Sequence, residues 1–190
     1  MINRPGLVLA AVCASIASAP ASAETLFGSN VSAAIYCCMA PTEAYRISDF
    51  ATAVVSNATE FPASTFVFTV DGSRWDSGIV DIGESWIRIT SLIAEVTNPG
   101  TFNGMIFAFT GSPTIIAATL NPASTMVPTS VVVAGNAVVL NAPSMTVGAG
   151  SYMLIDVTLA PVPEPAPLAL LIAGGVTLTF WLRRRRRSDA

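Results

Sequence analysis

The chain has 190 residues, a formal net charge of −3 and no histidine, and its nine basic residues are all arginine. Without histidine and lysine, Ser-His-Asp and Cys-His catalysis, Ser-Lys dyads, Schiff-base chemistry and histidine metal ligation are excluded. Residues 24–160 carry three arginines and ten carboxylates, a net charge of −7, which argues against binding to nucleic acid or to an anionic membrane surface.

The first 23 residues have the composition of a secretory signal peptide. Arg4 supplies the positive charge, an apolar stretch from Leu7 to Ala17 follows, and Ala21 and Ala23 flank a serine in a cleavage site of small residues. We expect cleavage after Ala23, so that the mature protein begins at Glu24 and is exported.

Cys37 and Cys38 are adjacent, and export would place them in an oxidising compartment. Their Cα atoms are about 3.8 Å apart across a trans peptide, whereas disulfides usually span roughly 4.4–6.8 Å, so a bridge needs unusual backbone geometry. A redox-labile ring, a thiolate site for a soft metal and crosslinks between molecules remain open. We favour a local disulfide that stiffens the loop before Pro41, because small zinc sites usually need four ligands.

The middle of the chain alternates between short β-favouring runs and turn residues. The turn sequences include Asn98-Pro99-Gly100 and Gly148-Ala149-Gly150 and recur about every ten residues, which is typical of an antiparallel sandwich or barrel. The predicted strands are Thr65 to Val70, Gly78 to Ile82, Trp86 to Ile93, Gly104 to Phe109, Thr114 to Leu120, Ser130 to Val133, Ala137 to Leu140 and Tyr152 to Leu159, with shorter candidates at Ala33 to Tyr36 and Thr52 to Val55. We therefore predict one all-β domain over residues 24–160.

Several of these runs alternate between two kinds of side chain, as half-buried strands do. The sets expected to share a buried face are Phe66, Phe68 and Val70; Met105, Phe107 and Phe109; and Met153, Ile155, Val157 and Leu159. A single sheet would leave such a face in water, whereas two sheets that cover each other would bury it. The alternation therefore favours an antiparallel β-sandwich.

The last 30 residues combine three features in a fixed order. A proline-rich linker over residues 161–167 contains Pro163, Glu164 and Pro165, a run of 17 uncharged residues extends from Ala166 to Leu182, and five arginines follow: Arg183, Arg184, Arg185, Arg186 and Arg187. As a helix the run covers about 25 Å, just enough to span a bilayer, and the arginines resist translocation. We predict a transmembrane helix and a cytoplasmic arginine-rich tail over residues 168–190.

This tail, from Val162 through the Pro-Glu-Pro motif to Arg187, resembles that of the PEP-CTERM family of exported bacterial proteins. In that family the tail is the sorting signal for exosortase, a membrane transpeptidase, and members are associated with exopolysaccharide and biofilm. The resemblance implies exosortase as the processing partner, a transient stay in the inner membrane of a Gram-negative bacterium, and then a place at the cell surface or outside the cell. An ordinary single-span anchor is the alternative interpretation of the same residues.

The resemblance of the tail also implies exopolysaccharide as a partner. The strand pattern itself, with Phe102-Asn103-Gly104 before an aromatic strand and Gly150-Ser151-Tyr152 at the start of the last one, resembles the β-sandwich ectodomains of such proteins, and we predict a jelly-roll-like topology. Trp75, in the polar stretch Asp71 to Asp76 that we expect to be a loop, is the candidate for stacking on a sugar ring, whereas Trp86 is expected in the core. We expect no enzymatic activity, no cofactor and no metal. The alternative is a secreted glycosidase that uses two of the ten carboxylates, although nothing in their spacing favours it.

Overall fold

β-Strands make up about half of what the computed structural model describes, which is residues 24–161 except 71, 72 and 77. This part of the chain has a single 3-10 helix, Glu43–Tyr45, and no α-helix. The strands are β1 (Asn30–Cys37), β2 (Ala51–Val54), β3 (Val67–Val70), β4 (Ser73–Asp76), β5 (Gly78–Ile82), β6 (Trp86–Ser91), β7 (Glu95–Val96), β8 (Asn103–Thr110), β9 (Ile115–Leu120), β10 (Ser130–Ala134), β11 (Ala137–Asn141), β12 (Thr146–Val147) and β13 (Tyr152–Leu159).

Nine of these strands form two antiparallel sheets. The five-stranded sheet has the order β10-β11-β8-β1-β2, and the four-stranded sheet has the order β5-β6-β13-β9. The longest pairing joins β1 to β8 over eight residues, from Asn30 opposite Thr110 to Cys37 opposite Asn103. Two short ribbons, β3 with β4 and β7 with β12, complete the pairing. The predicted all-β, antiparallel architecture is confirmed.

The inner faces of the two sheets meet in one hydrophobic cluster, as in a β-sandwich. From the five-stranded sheet the cluster contains Phe107 and Val138, and from the four-stranded sheet it contains Ile87 and Ile155, all of them fully buried. The period-2 alternation predicts these faces correctly: Met105, Phe107, Phe109, Met153, Ile155 and Val157 are buried, and Leu159 packs against the cluster. Of the third predicted set, Phe66 is buried, and the side chains of Phe68 and Val70 lie outside the described residues. Alternation along single strands therefore identifies a large part of the core.

Two expectations about tryptophan are wrong. Trp75 lies in strand β4, opposite Phe68, and not in a loop. The sequence Asp71-Gly72 is a favoured two-residue hairpin connection, and Val70 is paired with Ser73 on either side of it, so the polar residues after the glycine belong to a strand. Trp86 is only partly buried. Ile87 and Ile89 of the same strand point into the core, and because side chains alternate along a strand, Trp86 lies on the outer face.

The first and last described residues lie at the same end of the sandwich, which we call the terminal end. There the Leu26 amide donates to the Glu84 carbonyl at 2.7 Å, and the Ala160 amide donates to the Thr114 carbonyl at 2.7 Å. The opposite end, which we call the disulfide end, contains Cys37 and its partner Asn103. Strand β13 runs from the disulfide end to the terminal end, so the two ends are about 20 Å apart.

Strands β8 and β11 approach each other closely at Gly104. A Cβ atom on Gly104 would lie 1.9 Å from the Leu140 carbonyl oxygen, whereas one on Gly148 would meet only the Ser151 Oγ atom, at 3.9 Å. We expect Gly104→Ala to lower the free energy of unfolding by about 2–3 kcal/mol and Gly148→Ala to change it by less than about 0.5 kcal/mol. Urea unfolding measures both, and equal losses in the two variants would contradict the predicted contact.

Candidate functional site

A cavity of about 330 Å³ lies between the two sheets at the disulfide end. Its inner wall is apolar and comes from both sheets, with buried Ile35 and Leu140 on one side and buried Ile89 on the other. Its rim consists of exposed residues, among them Ile47 and Val96, which are 40% and 64% exposed. The cavity is therefore an apolar space that is reached from solvent, and its size is at the lower end of the range for small-molecule sites.

Four of the six methionines of the chain line this cavity: Met105, Met126, Met145 and Met153. Met105 and Met153 come from facing strands, whereas Met126 and Met145 come from the segments before β10 and β12. Methionine is unbranched and polarizable, and it adapts to irregular shapes more readily than leucine or isoleucine. The alternation along β8 and β13 predicts Met105 and Met153 as core residues. No local pattern predicts the cavity, because only the fold brings the four methionines together.

A set of hydrogen bonds holds the segments around the rim. The Thr97 Oγ1 atom donates to the Ala142 carbonyl and accepts from the Met145 amide at 2.8 Å, and the Asn103 Nδ2 atom donates to the Asn98 carbonyl at 2.9 Å. The β7–β12 ribbon joins the same two segments. These contacts keep the rim in place without filling the space that it surrounds.

Within the described residues, Glu95 is the only charged residue that lines the cavity. Its backbone is paired with Val147 in the β7–β12 ribbon, and within the described part of the chain its carboxylate makes no hydrogen bond or ion pair. Burial raises the pKa of the Glu95 carboxyl above its ordinary value. A half-buried, unpaired carboxylate favours any group that can supply a proton, a hydrogen bond or a positive charge.

Cys37 and Cys38 form a disulfide beside this rim, with their sulfur atoms 1.98 Å apart. Cys38 adopts a positive φ of 85°, and its amide donates to the Phe102 carbonyl at 2.6 Å. The Asn98 Nδ2 atom donates to the Cys37 Sγ atom at 3.5 Å. Gly100 passes so close to Cys38 that a Cβ atom would lie 2.0 Å from the Cys38 carbonyl oxygen. The loop that carries Asn98 therefore supports the disulfide as well as the cavity.

The other predicted site residues are placed as follows. The cleavage-site alanines Ala21 and Ala23, the motif Pro163, Glu164 and Pro165, and the arginines Arg183 to Arg187 lie outside the described residues. Trp75 has a described backbone, in strand β4, but its side chain is outside the description as well. The structure thus brings together only Cys37 and Cys38 from the predicted set. Over the residues described there is no cluster of three or more His, Cys, Asp or Glu side chains that could hold a metal ion.

Several carboxylates serve the local structure. The Glu60 carboxylate accepts from the Ser56 and Ile82 amides at 2.8 and 2.7 Å, and both Asp156 oxygens accept from the Asn121 Nδ2 atom. Of the described acidic residues only Glu95 lines the cavity. Since glycosidases use a pair of carboxyl groups on either side of the scissile bond, this arrangement does not favour glycosidase chemistry in the cavity.

Neither a family model, nor a curated protein, nor a solved structure matches the chain. The interpretation of the tail therefore depends on its own residues. No helix within residues 24–161 is long and apolar enough to cross a membrane, and the apolar run from Ala166 lies outside the described residues.

The raised pKa of Glu95 predicts a pH-dependent stability. An acid with a higher pKa in the folded than in the unfolded chain destabilises the fold when it is charged, and this cost disappears as the pH falls through the folded pKa to below the unfolded value of about 4.3. We expect Glu95→Gln to raise Tm at pH 7 and to leave it unchanged below about pH 4.

Glu84→Gln is the matched control, because Glu84 is exposed in the turn between β5 and β6 and the substitution changes the net charge equally. Thermal unfolding at both pH values measures the effect. If both variants gained the same stability at pH 7, the cause would be net charge and not the burial of Glu95.

Proposed function

We propose that the chain is an exported protein of the cell surface or extracellular matrix, whose C-terminal tail is a sorting signal for exosortase. The observation that carries the proposal is the order of three features in the tail: Pro163-Glu164-Pro165, an uncharged apolar run, and five arginines. The apolar run holds the precursor in the inner membrane, the arginines stay in the cytoplasm, and processing near the motif releases the folded domain or transfers it to the surface.

Three further observations support the proposal, and the first two concern export. Residues 1–23 have the pattern of a signal peptide. A Cys37–Cys38 disulfide belongs in an oxidising compartment, since thiols in the cytosol are kept reduced. Pro161, the last described residue, is at the terminal end of the sandwich, so the tail is attached away from the cavity and the disulfide.

The partner that we propose for the folded domain is exopolysaccharide. The role is physical: a β-sandwich with a polar exterior associates with the polymer through hydrogen bonds, and Trp75 stacks on a sugar ring. The position of Trp75 in the β3–β4 hairpin supports this choice, because the hairpin is a separate ribbon and not part of either large sheet. A jelly-roll-like arrangement of the strands remains a prediction.

The tail prediction is tested by the intact mass of the exported protein. We expect a chain that begins at Glu24 and lacks the residues after the Pro-Glu-Pro region. Replacing Glu164 by Gln, or deleting residues 183–187, should leave the precursor uncut in the membrane, whereas Glu84→Gln should be processed normally. A mature surface protein that keeps its complete tail would show that the tail is an ordinary anchor.

The polysaccharide prediction is tested by retention of the protein on a panel of immobilised polysaccharides, with turnover measured on the same polymers. We expect Trp75→Ala to weaken retention about three- to tenfold, which is the loss of one aromatic contact, and we expect no hydrolysis. Trp86→Ala is the control, and a larger loss in this variant would move the contact to the outer face of the four-stranded sheet. Hydrolysis that a single Asp or Glu substitution abolishes would establish the glycosidase alternative.

A further inference from the structure

We propose that the cavity at the disulfide end binds a small cationic amphiphile: its alkyl chain lies among the four methionines, and its ammonium group meets the carboxylate of Glu95. This inference concerns a different site from the sorting tail and does not depend on the proposed function. It follows from the shape of the cavity, from the chemistry of its wall and from the position of its one charged side chain.

The first step is the size of the space. Side chains in a protein core leave few voids larger than a water molecule, whereas at the disulfide end the two sheets leave a space of about 330 Å³ between them that opens to solvent at its rim. The side chains at its inner wall are apolar and buried, among them Met105 at 8% and Met153 at 4% exposed. An apolar wall of this kind offers water no hydrogen-bonding partner, so an apolar group displaces water from it favourably.

The second step is the adaptability of the wall. Methionine side chains have three rotatable bonds, and they line protein surfaces that accept ligands of different shapes. Met105 comes from one sheet and Met153 from the other, while Met126 and Met145 come from the segments before β10 and β12. A flexible alkyl chain fits such a wall better than a rigid ring, because both partners adjust their rotamers.

The third step is the charge. The other polar side chains of the lining already have partners: Thr97, Asn98 and Asn103 bond to the rim segments, and the Ser91 Oγ atom donates to the Ile93 carbonyl at 2.8 Å. Glu95 alone is left, within the part of the chain described, without a hydrogen-bonding or ionic partner. An ammonium group supplies the missing charge and up to three donors, whereas a carboxylate headgroup would be repelled.

The fourth step is the field of the whole domain. Three arginines and ten carboxylates give residues 24–160 a net charge of −7, which raises the local concentration of cations and lowers that of anions. Of the three arginines, Arg46 is already paired, because its Nε atom donates to the Glu43 carboxylate and its guanidinium carbon lies 4.5 Å from the ring centroid of Phe50. The charge of the domain and the charge at the cavity thus favour the same class of ligand.

The methyl groups of the methionines are also NMR probes for ligand binding. In the full chain carrying ¹³C-methyl methionine and held in nanodiscs, we titrate octylammonium, octan-1-ol and octanoate, which share a tail and differ in headgroup. We expect octylammonium to bind most tightly and to shift the methyl signals of Met105, Met126, Met145 and Met153. The signal of Met39, which is 58% exposed and does not line the cavity, should not shift.

Two variants separate the headgroup from the tail. Glu95→Gln should weaken octylammonium binding about tenfold and leave octan-1-ol binding unchanged. Ala94→Trp places a large ring at the rim and should weaken all three probes. Glu84→Gln removes the same charge at the terminal end and should bind all three like the unmodified chain. A Tm no lower than that of the unmodified chain shows that the fold of each variant is intact.

Several outcomes would overturn the proposal. These are the absence of shifts at the four cavity methyls, equal affinity for the three headgroups, and an equal loss of octylammonium binding in Glu95→Gln and Glu84→Gln. If deleting residues 166–182 shifted the cavity methyls without any added probe, the cavity would belong to the apolar run of the chain itself and not to a separate amphiphile.

Discussion

Phe107 on β8 and Ile155 on β13 are both fully buried, and they belong to the one apolar cluster in which the two sheets face each other. A sheet with one apolar face is stable in water only when that face is covered. The burial of this cluster therefore determines which side of the strands in the two large sheets points inward. It also determines what remains outside. Arg88, for example, lies on the outer face with its guanidinium carbon 4.4 Å from the ring centroid of Tyr152. The cavity is a local gap in the same contact between the sheets.

The sequence predicts the parts of this fold that have local signals. Met105 and Phe107 alternate with less buried neighbours, and the period of two gives both the strand and its buried face. Trp75 is misplaced because its strand is polar and short, and only the pairing with β3 makes it a strand. The cavity has no local signal, since its lining residues, Met126 and Met145 among them, come from separate segments that only the fold brings to one place. The C-terminal tail is the reverse case, because the sorting role that we propose for it depends on the linear order of its three features.

The two ends of the sandwich carry different features. The disulfide end combines the Cys37–Cys38 bridge with a cavity whose rim is held by Thr97 and Asn98. Asn98 links the two, because it contacts Cys37 Sγ and lines the cavity as well. At the terminal end, the Ile115 amide in β9 donates to the Asn136 Oδ1 atom in the β10–β11 turn and so joins the two sheets, and the Asn136 Nδ2 atom donates to the Ser112 Oγ atom. One end is therefore closed by contacts between the sheets, while the other leaves room between them.

Because Glu24 and Pro161 lie at one end of the sandwich, both flanking segments leave the folded domain from the same side. Neither residue belongs to a strand, and the first and last of the sheet strands, β1 and β13, are each paired on both sides. A peptide bond can be cut before the one or after the other without removing a residue from any ladder. The segments before Glu24 and after Pro161 can therefore be replaced without changing a strand of the folded unit.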